Sequence, residues 1–386
     1  MGSDAIAANL RRLRKAQRLT QAQLADAAGL SRVGYRNIET GRSLPRVDTL
    51  QAVAAALRAP LQDLVTPVAQ LRHVRFRSLR RLNTRDQILA EVSRWLSDFN
   101  DLEKLLGDRP NYRLDSFVVP KVRPGARRAR QAASGVRKLF GLRDDEPIRD
   151  ICGLLESNGI KIYSIRLASN EFFGLSVGPT DGGPAIVVNI WERISAERWI
   201  FSAAHELGHL VLHQKDYDVV KLQEEKNQEQ EANVFAAYFL MPEEVFRREW
   251  AGTAGMPLVD RVLKVKRIFR VSYKTILYRL SETAGEGVNV WQLFQKEFKR
   301  LHERTLLKEE EPAALAADAY RASFPESSRA GEPDDLSPHD FREDRLSLLV
   351  RKGVQQGAIS LSRGAEVLRK PLKEMRALAN TWVGNL

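Results

Sequence analysis

A single cysteine, Cys152, stands among 386 residues. No intrachain disulfide can form, and a reducing compartment is the natural setting. Nowhere does an apolar run approach the roughly 18 residues of a membrane span, and no secretory leader precedes the first module. A cytoplasmic protein with no membrane partner is therefore expected, with Cys152 a core residue. Histidine is also scarce. Of six, three (His205, His209 and His213) crowd into one short stretch. Acid is scarce at one end: residues 1–81 hold fifteen Lys or Arg against five Asp or Glu, while the whole chain carries +12. The remainder is close to balanced, and a basic excess confined to one module is the electrostatic footprint of nucleic-acid binding. With 386 residues, 43% of them hydrophobic, two or three domains are expected.

His205-Glu206-Leu207-Gly208-His209 has the HExxH pattern. On a helix, positions i and i+4 share a face, so His205 and His209 aim two imidazoles at one metal ion. Glu206, beside the first of them, is placed to act as a general base on water. The spacing predicts a helix over 191–211 opened by Ser195, with Ile200, Ala203, Ala204, Leu207 and Leu210 on its apolar face. A second helix over 228–241, ended by Pro242, is expected to bring the third ligand. Two carboxylates compete for it. Glu229 lies on the edge of the face formed by Ala232, Phe235, Ala236, Phe239 and Leu240, and has Asn233 at i+4, an amide able to orient a ligating histidine. Glu229 is the expected ligand. Glu231, farther round the helix, is the reserve and otherwise a solvated carboxylate.

Two segments carry a family resemblance: His205-Glu206-Leu207-Gly208-His209-Leu210-Val211-Leu212-His213, then Glu229-Gln230-Glu231-Ala232-Asn233-Val234-Phe235-Ala236-Ala237 with Leu240-Met241-Pro242. Together they resemble the ImmA/IrrE family of zinc-dependent metallo-endopeptidases over about 145–284. The resemblance implies a gluzincin-like site with Zn2+ held by His205, His209 and Glu229, Glu206 as general base, and proteolysis of a partner repressor. For the oxyanion of the tetrahedral intermediate, His213 and Tyr238 are candidates, each with a structural role as the more natural reading. Upstream, 159–165 alternates at period two, and 172–177 and 185–189 are short apolar runs around a Gly- and Pro-rich turn. They are expected to form strands, with a hairpin against the metal helix, whose free edge takes an extended peptide by strand addition.

At the N-terminus a helix over 6–15 precedes Thr20-Gln21-Ala22-Gln23, a T-x-x-Q capping box. Gly29-Leu30 makes a turn, Ser31 caps a third helix that ends before Gly41, and Pro45 starts a fourth with Val47, Leu50, Val53, Ala54 and Leu57 inward. Residues 5–67 resemble the Xre/Cro/phage-repressor helix-turn-helix type. That resemblance implies a helix beginning at Ser31 that enters the major groove of double-stranded DNA. Arg32, Val33 and Asn37 then face base edges, with Arg32 suited to guanine and Asn37 to adenine. Gln21, Arg36 and Arg42 are expected on phosphates. Helix-turn-helix proteins usually read two half-sites as dimers, so a homodimer is expected.

The fold class follows: mainly α with a small β-sheet. The expected organisation is a five-helix DNA-binding domain (1–67), a helical linker (68–144), a gluzincin-like metallopeptidase domain (145–290) and a helical C-terminal region (291–386) containing a mobile acidic linker (307–341). Within the first linker, 84–106 reads as an amphipathic helix, and the acid-free basic run 121–138 as solvated chain. Residues 345–382 read as short helices with a helix-turn-helix flavour. The functional expectation is a DNA-binding regulator with a zinc endopeptidase that cleaves a repressor or antitoxin in a stress or mobile-element response. The alternative is a transcription factor or antitoxin-like protein whose peptidase-like domain only senses a ligand. The intact Glu206 favours the first, because a structural zinc needs no general base.

Overall fold

The computed structural model describes residues 2–66, 71–78, 85–143, 145–219, 225–285, 287–307, 309–315 and 336–382. The chain divides into two compact units. One comprises Met1–Arg72 with Arg80–Asp101, the other His73–Leu79 with Leu102–Leu386.

The first unit opens with five helices: α1 (Gly2–Ala16), α2 (Gln21–Ala27), α3 (Arg32–Glu39), α4 (Val47–Ala56) and α5 (Leu61–Val65). The Thr20 side chain accepts from the Gln23 N–H while the Gln23 side chain accepts from the Thr20 N–H, satisfying two donors at the start of α2. Gly29 makes the following turn at φ +67, a left-handed backbone that favours glycine. Leu10, Leu24, Tyr35, Val53, Leu57 and Leu64 form the core. Val47, expected to face inward, is 62% exposed. It is the first residue of α4, and the core face begins one turn later at Leu50. Arg14 and Glu39 pair through two 2.7 Å hydrogen bonds that tie α1 to α3. Helix α6 (Arg85–Leu106) follows the strand described next in chain order; its Ile88, Val92, Trp95, Leu96, Phe99 and Leu102 are buried.

The second unit carries one four-stranded sheet, made by β1 (Val74–Ser78), β2 (Lys161–Ile165), β3 (Phe172–Val177) and β4 (Ala185–Asn189), in the order β1-β3-β4-β2. β3 and β4 are antiparallel, β2 runs parallel to β4, and β1 runs antiparallel to β3. Around it stand α7 (Ala126–Leu139), α8 (Ile151–Ser157), α9 (Ala196–Leu212), α10 (Lys226–Leu240), α11 (Glu243–Ala251), α12 (Leu258–Phe269), α13 (Tyr273–Ser281) and α14 (Val290–His302). After them come α15 (Arg345–Gln355), α16 (Leu361–Val367) and α17 (Leu372–Trp382). Helix α9 packs on β3 and β4, and α10 packs between α9 and α7. The close approach of α9 and α10 requires Gly208, where an added Cβ would lie 3.0 Å from the Phe235 ring. Cys152 is buried in the same core.

Three further readings of the sequence need correction. The segment expected as a helical linker contains β1, because Val-Arg-Phe-Arg-Ser alternates at period two within a basic run. The basic run 121–138 is not solvated chain but largely helix α7, which buries Ala129, Ala132, Ala133 and Val136 at i, i+3, i+4 and i+7. Its Arg137 is also buried and donates to the carbonyls of Phe239, Arg143 and Glu146. Finally, both flanks of 307–341 are packed. Lys266 Nζ binds the Pro312 carbonyl at 2.8 Å and Glu311 at 3.3 Å, and Phe341 is buried against Trp199. Residues 316–335, the middle of that segment, lie outside the described residues. Among the described residues, no helix is long and apolar enough to cross a membrane.

Candidate metal centre and nucleic-acid interface

Helix α9 presents His205 and His209 one turn apart, both fully buried. Their Nε2 atoms are 3.0 Å apart. The Glu229 carboxylate on α10 completes a triangle, with one oxygen 3.3 Å from His205 Nε2 and the other 3.2 Å from His209 Nε2. Two ligands of a tetrahedral zinc ion at about 2.0–2.1 Å stand about 3.3 Å apart. The donor set and its spacing therefore fit zinc. The remote nitrogens are held as well. His205 Nδ1 meets Asn233 Oδ1 at 2.9 Å, and His209 Nδ1 meets His213 Nδ1 at 2.9 Å. Such partners fix the tautomer and orientation of a ligating imidazole. Burial holds His209 well below the usual imidazole range, in the neutral form that binds metals. Burial alone would raise Glu229, but the facing His205 and His209 outweigh it and keep the carboxyl ionised.

Glu231, read as solvated or as a reserve ligand, occupies neither role. It is 2% exposed and accepts from His213 Nε2 at 3.0 Å, Arg128 Nε at 2.9 Å and the Gly125 N–H at 2.6 Å. Burial opposes its ionisation, yet these donors bring its pKa down to about 2. The result is a relay from Arg128 through Glu231 and His213 to His209. His213, a candidate for the oxyanion, has both ring nitrogens engaged in that relay. Tyr238, the other candidate, donates to Glu282 at 3.0 Å and lies under the Arg279 guanidinium.

Glu206 is 1% exposed. One of its oxygens accepts from Ser176 Oγ at 2.7 Å, and Ser176 Oγ in turn meets the Tyr217 hydroxyl at 2.7 Å. Burial pushes the Tyr217 phenol well above its ordinary range, so it stays protonated. Position 174 must be small, since a Cβ there would lie 2.8 Å from the Val187 carbonyl and 3.3 Å from Glu206 Cγ. Arg75 on β1, opposite Ser176 in the strand register, donates to Glu229 at 3.0 Å and to Gln228 at 2.5 Å. Sequence reasoning missed Ser176, Tyr217, Arg75 and Arg128. Each lies outside the two motif helices, and although the strand of Ser176 was legible as a strand, no local spacing marks any of the four as a partner of the site.

In the first unit, the Ser31 side chain caps α3 by accepting from the Gly34 N–H at 3.0 Å. Arg32, Val33, Arg36 and Arg42 are exposed, and Asn37 is half-buried. Gln21 is half-buried, with its amide donating to Glu39 at 3.2 Å.

A five-helix module and an HExxH helix seated on a small sheet give the chain a helix-turn-helix module and a metallopeptidase-like domain. Residues 10–64 match the helix-turn-helix family model, and residues 156–281 match the model of the IrrE N-terminal-like domain, of the M78 peptidase type. The chain is similar to the cryptic phage CTXphi transcriptional repressor RstR of Vibrio cholerae serotype O1, 41% identical over 51 residues. That stretch is 13% of this chain and spans 46%, about half, of the relative.

Proposed function

We propose that the chain is a cytoplasmic DNA-binding transcriptional regulator whose IrrE-like domain is a zinc endopeptidase that cleaves a repressor or antitoxin protein. The domains run 1–67 and 145–290. The observation that carries this reading is the buried triangle of His205, His209 and Glu229 beside an ionisable Glu206. These three residues hold Zn2+, and Asn233 and His213 fix the two imidazoles. When bound, zinc supplies Lewis acidity toward water and a scissile carbonyl. Glu206, oriented by Ser176 and Tyr217, takes the proton of the attacking water and delivers it to the leaving amine. At the other end, Arg32, Val33 and Asn37 read base edges of duplex DNA while Gln21, Arg36 and Arg42 set the register on phosphates, in a homodimer that spans two half-sites.

The same reading includes latency. A peptide added as a strand beside Glu206 would extend the edge of β3, and β1 occupies that edge. A substrate must displace β1 and its Arg75–Glu229 ion pair. That closed edge also favours a second reading, a regulator whose peptidase-like domain senses a ligand without cutting. Mass spectrometry of zinc-loaded protein incubated with host lysate separates the two. Products seen with wild type and missing with Glu206→Gln establish the peptidase. Stoichiometric zinc without any Glu206-dependent product establishes the sensor.

A further inference from the structure

Two of the last three helices, α16 and α17, repeat the spacing, cap and turn of α2 and α3. α16, like α2, has seven residues, and α17 follows it after four residues, as α3 follows α2. A shift of 340 positions superimposes the two schemes. Ser360 caps α16 by accepting from the Arg363 N–H, as Thr20 does from Gln23. The second residue of each connector is left-handed, Arg369 at φ 54 and Gly29 at φ 67. The Lys370 N–H binds the Ala365 carbonyl at 2.9 Å, and the Leu30 N–H binds Ala25 at 2.8 Å. Met375 and Tyr35, at the same step of the last helix, are both fully buried. Helix α15 packs against α16, and the three helices meet at Gly364, where an added Cβ would lie 3.0 Å from both Met375 and Val350.

Chemistry follows geometry. Residues 345–382 carry eight Lys or Arg against two Asp or Glu, whereas 291–344 before them hold eight Lys or Arg against thirteen Asp or Glu. Some of that charge is engaged internally: Arg345 and Lys352 bind Asp108, Arg363 pairs with Glu366, and Arg369 meets Tyr163. On α17, the positions equivalent to Arg32, Val33, Arg36 and Asn37 are Leu372, Lys373, Arg376 and Ala377, all exposed, with Lys370 exposed before them. Asn380 extends the same stripe at i+7 from Lys373 and is also exposed. The pair α12–α13 makes a useful contrast. It too turns through a left-handed residue, Arg270, into a Ser272 cap. Its second helix, however, buries Tyr273, Thr275, Ile276, Leu277, Arg279 and Leu280, and so offers no comparable reading face.

We infer that α15–α17 form a second helix-turn-helix that contacts duplex DNA, with α17 in the major groove and Lys373, Arg376 and Asn380 on its DNA-facing side. This contact belongs to the unit that carries the metal centre, so that unit has a hold on DNA separate from residues 1–67.

The test uses the full chain and a labelled pool of random-sequence duplex, with fluorescence anisotropy followed across a salt series. Arg32→Glu with Arg36→Glu disables the first module and leaves weakened, salt-dependent binding. Adding Lys373→Glu with Arg376→Glu then lowers the association constant by about tenfold or more and flattens the salt slope by about 2, the loss expected for two phosphate contacts. Lys373→Ala with Arg376→Ala shifts both in the same direction by less, and unchanged circular dichroism excludes unfolding. If the C-terminal changes leave affinity and slope unaltered in both backgrounds, or if the first pair alone removes all binding, α17 is not a DNA contact and the inference fails. Glu206-dependent cleavage is read in a separate assay, so neither outcome bears on the peptidase.

Discussion

His209 is held from behind by a chain of side chains, and this makes the two glutamates of α10 separable by experiment. Glu229 faces both histidines, whereas Glu231 reaches the site only through His213. Glu229→Ala should abolish stoichiometric zinc, as should His205→Ala. Glu231→Ala should keep the site but weaken zinc affinity by about 10–100-fold, the usual cost of a lost outer partner. Glu206→Gln should retain zinc and lose proteolysis. Zinc content by atomic spectroscopy after dialysis, a competitive chelator titration for Glu231→Ala and a cleavage assay for Glu206→Gln decide these, and full occupancy in Glu229→Ala would overturn the assignment. Acid titration offers a second check. A carboxyl whose folded pKa lies near 2, below its unfolded value of about 4.3, contributes stability that is complete above the unfolded value. That contribution is lost as pH falls from about 4.3 toward 2, and at full strength amounts to about 3 kcal/mol. In metal-free protein, Glu231→Gln should therefore flatten the stability profile in that window, as followed by urea denaturation midpoints.

Among elements, those within one helix were legible and those joined across the chain were not. HExxH fixes its own geometry, because one helical turn separates the histidines whatever surrounds them. The Glu229–Asn233 pair was readable for the same reason, and Asn233 does meet His205. Ser176 and Tyr217 meet Glu206 only because β3 and the loop after α9 converge on it, which no local spacing announces. β1 pairs with a strand about a hundred residues downstream, and its two apolar residues sit among arginines. Helix α7 hid likewise, since its buried stripe is mostly alanine between basic residues. The position of β1 carries a prediction. Arg75→Ala removes its grip on Glu229 and Gln228, so Glu206-dependent cleavage of an added protein substrate should rise several-fold. An unchanged rate in a peptide-release assay would mean that β1 does not restrain the site. The α9–α10 contact carries another. Gly208→Val should press on Phe235 and cost about 1–3 kcal/mol through overpacking, read as a lowered melting temperature.

At the scale of the whole molecule, a metallopeptidase-like domain and a helix-turn-helix module share one chain, and under the proposed function the peptide most concentrated near Glu206 is that chain itself. Short tethers give effective concentrations in the mM range, so even a poor internal site would be cut unless the centre were restrained. β1, paired along the edge of β3, is the restraint we propose. The basic surfaces indicate what could relieve it. Residues 1–81 hold most of the net charge, and a second cluster lies on α15–α17, in the same unit as His205, His209 and Glu229. A ligand that binds the open form better shifts the population toward it only by its differential affinity. Nucleic acid bound through the second unit is the form of ligand that this charge distribution selects. Purified zinc-loaded protein should then stay largely intact on incubation, while duplex or single-stranded nucleic acid raises Glu206-dependent cleavage of a partner protein or of a segment such as 307–341. The Lys373→Glu, Arg376→Glu protein should lose that stimulation while keeping its basal rate. Electrophoresis and mass spectrometry with Glu206→Gln as the blank decide the matter. If no nucleic acid changes the Glu206-dependent rate, the trigger is not DNA or RNA, and the helix-turn-helix serves only to address the protein to its promoter.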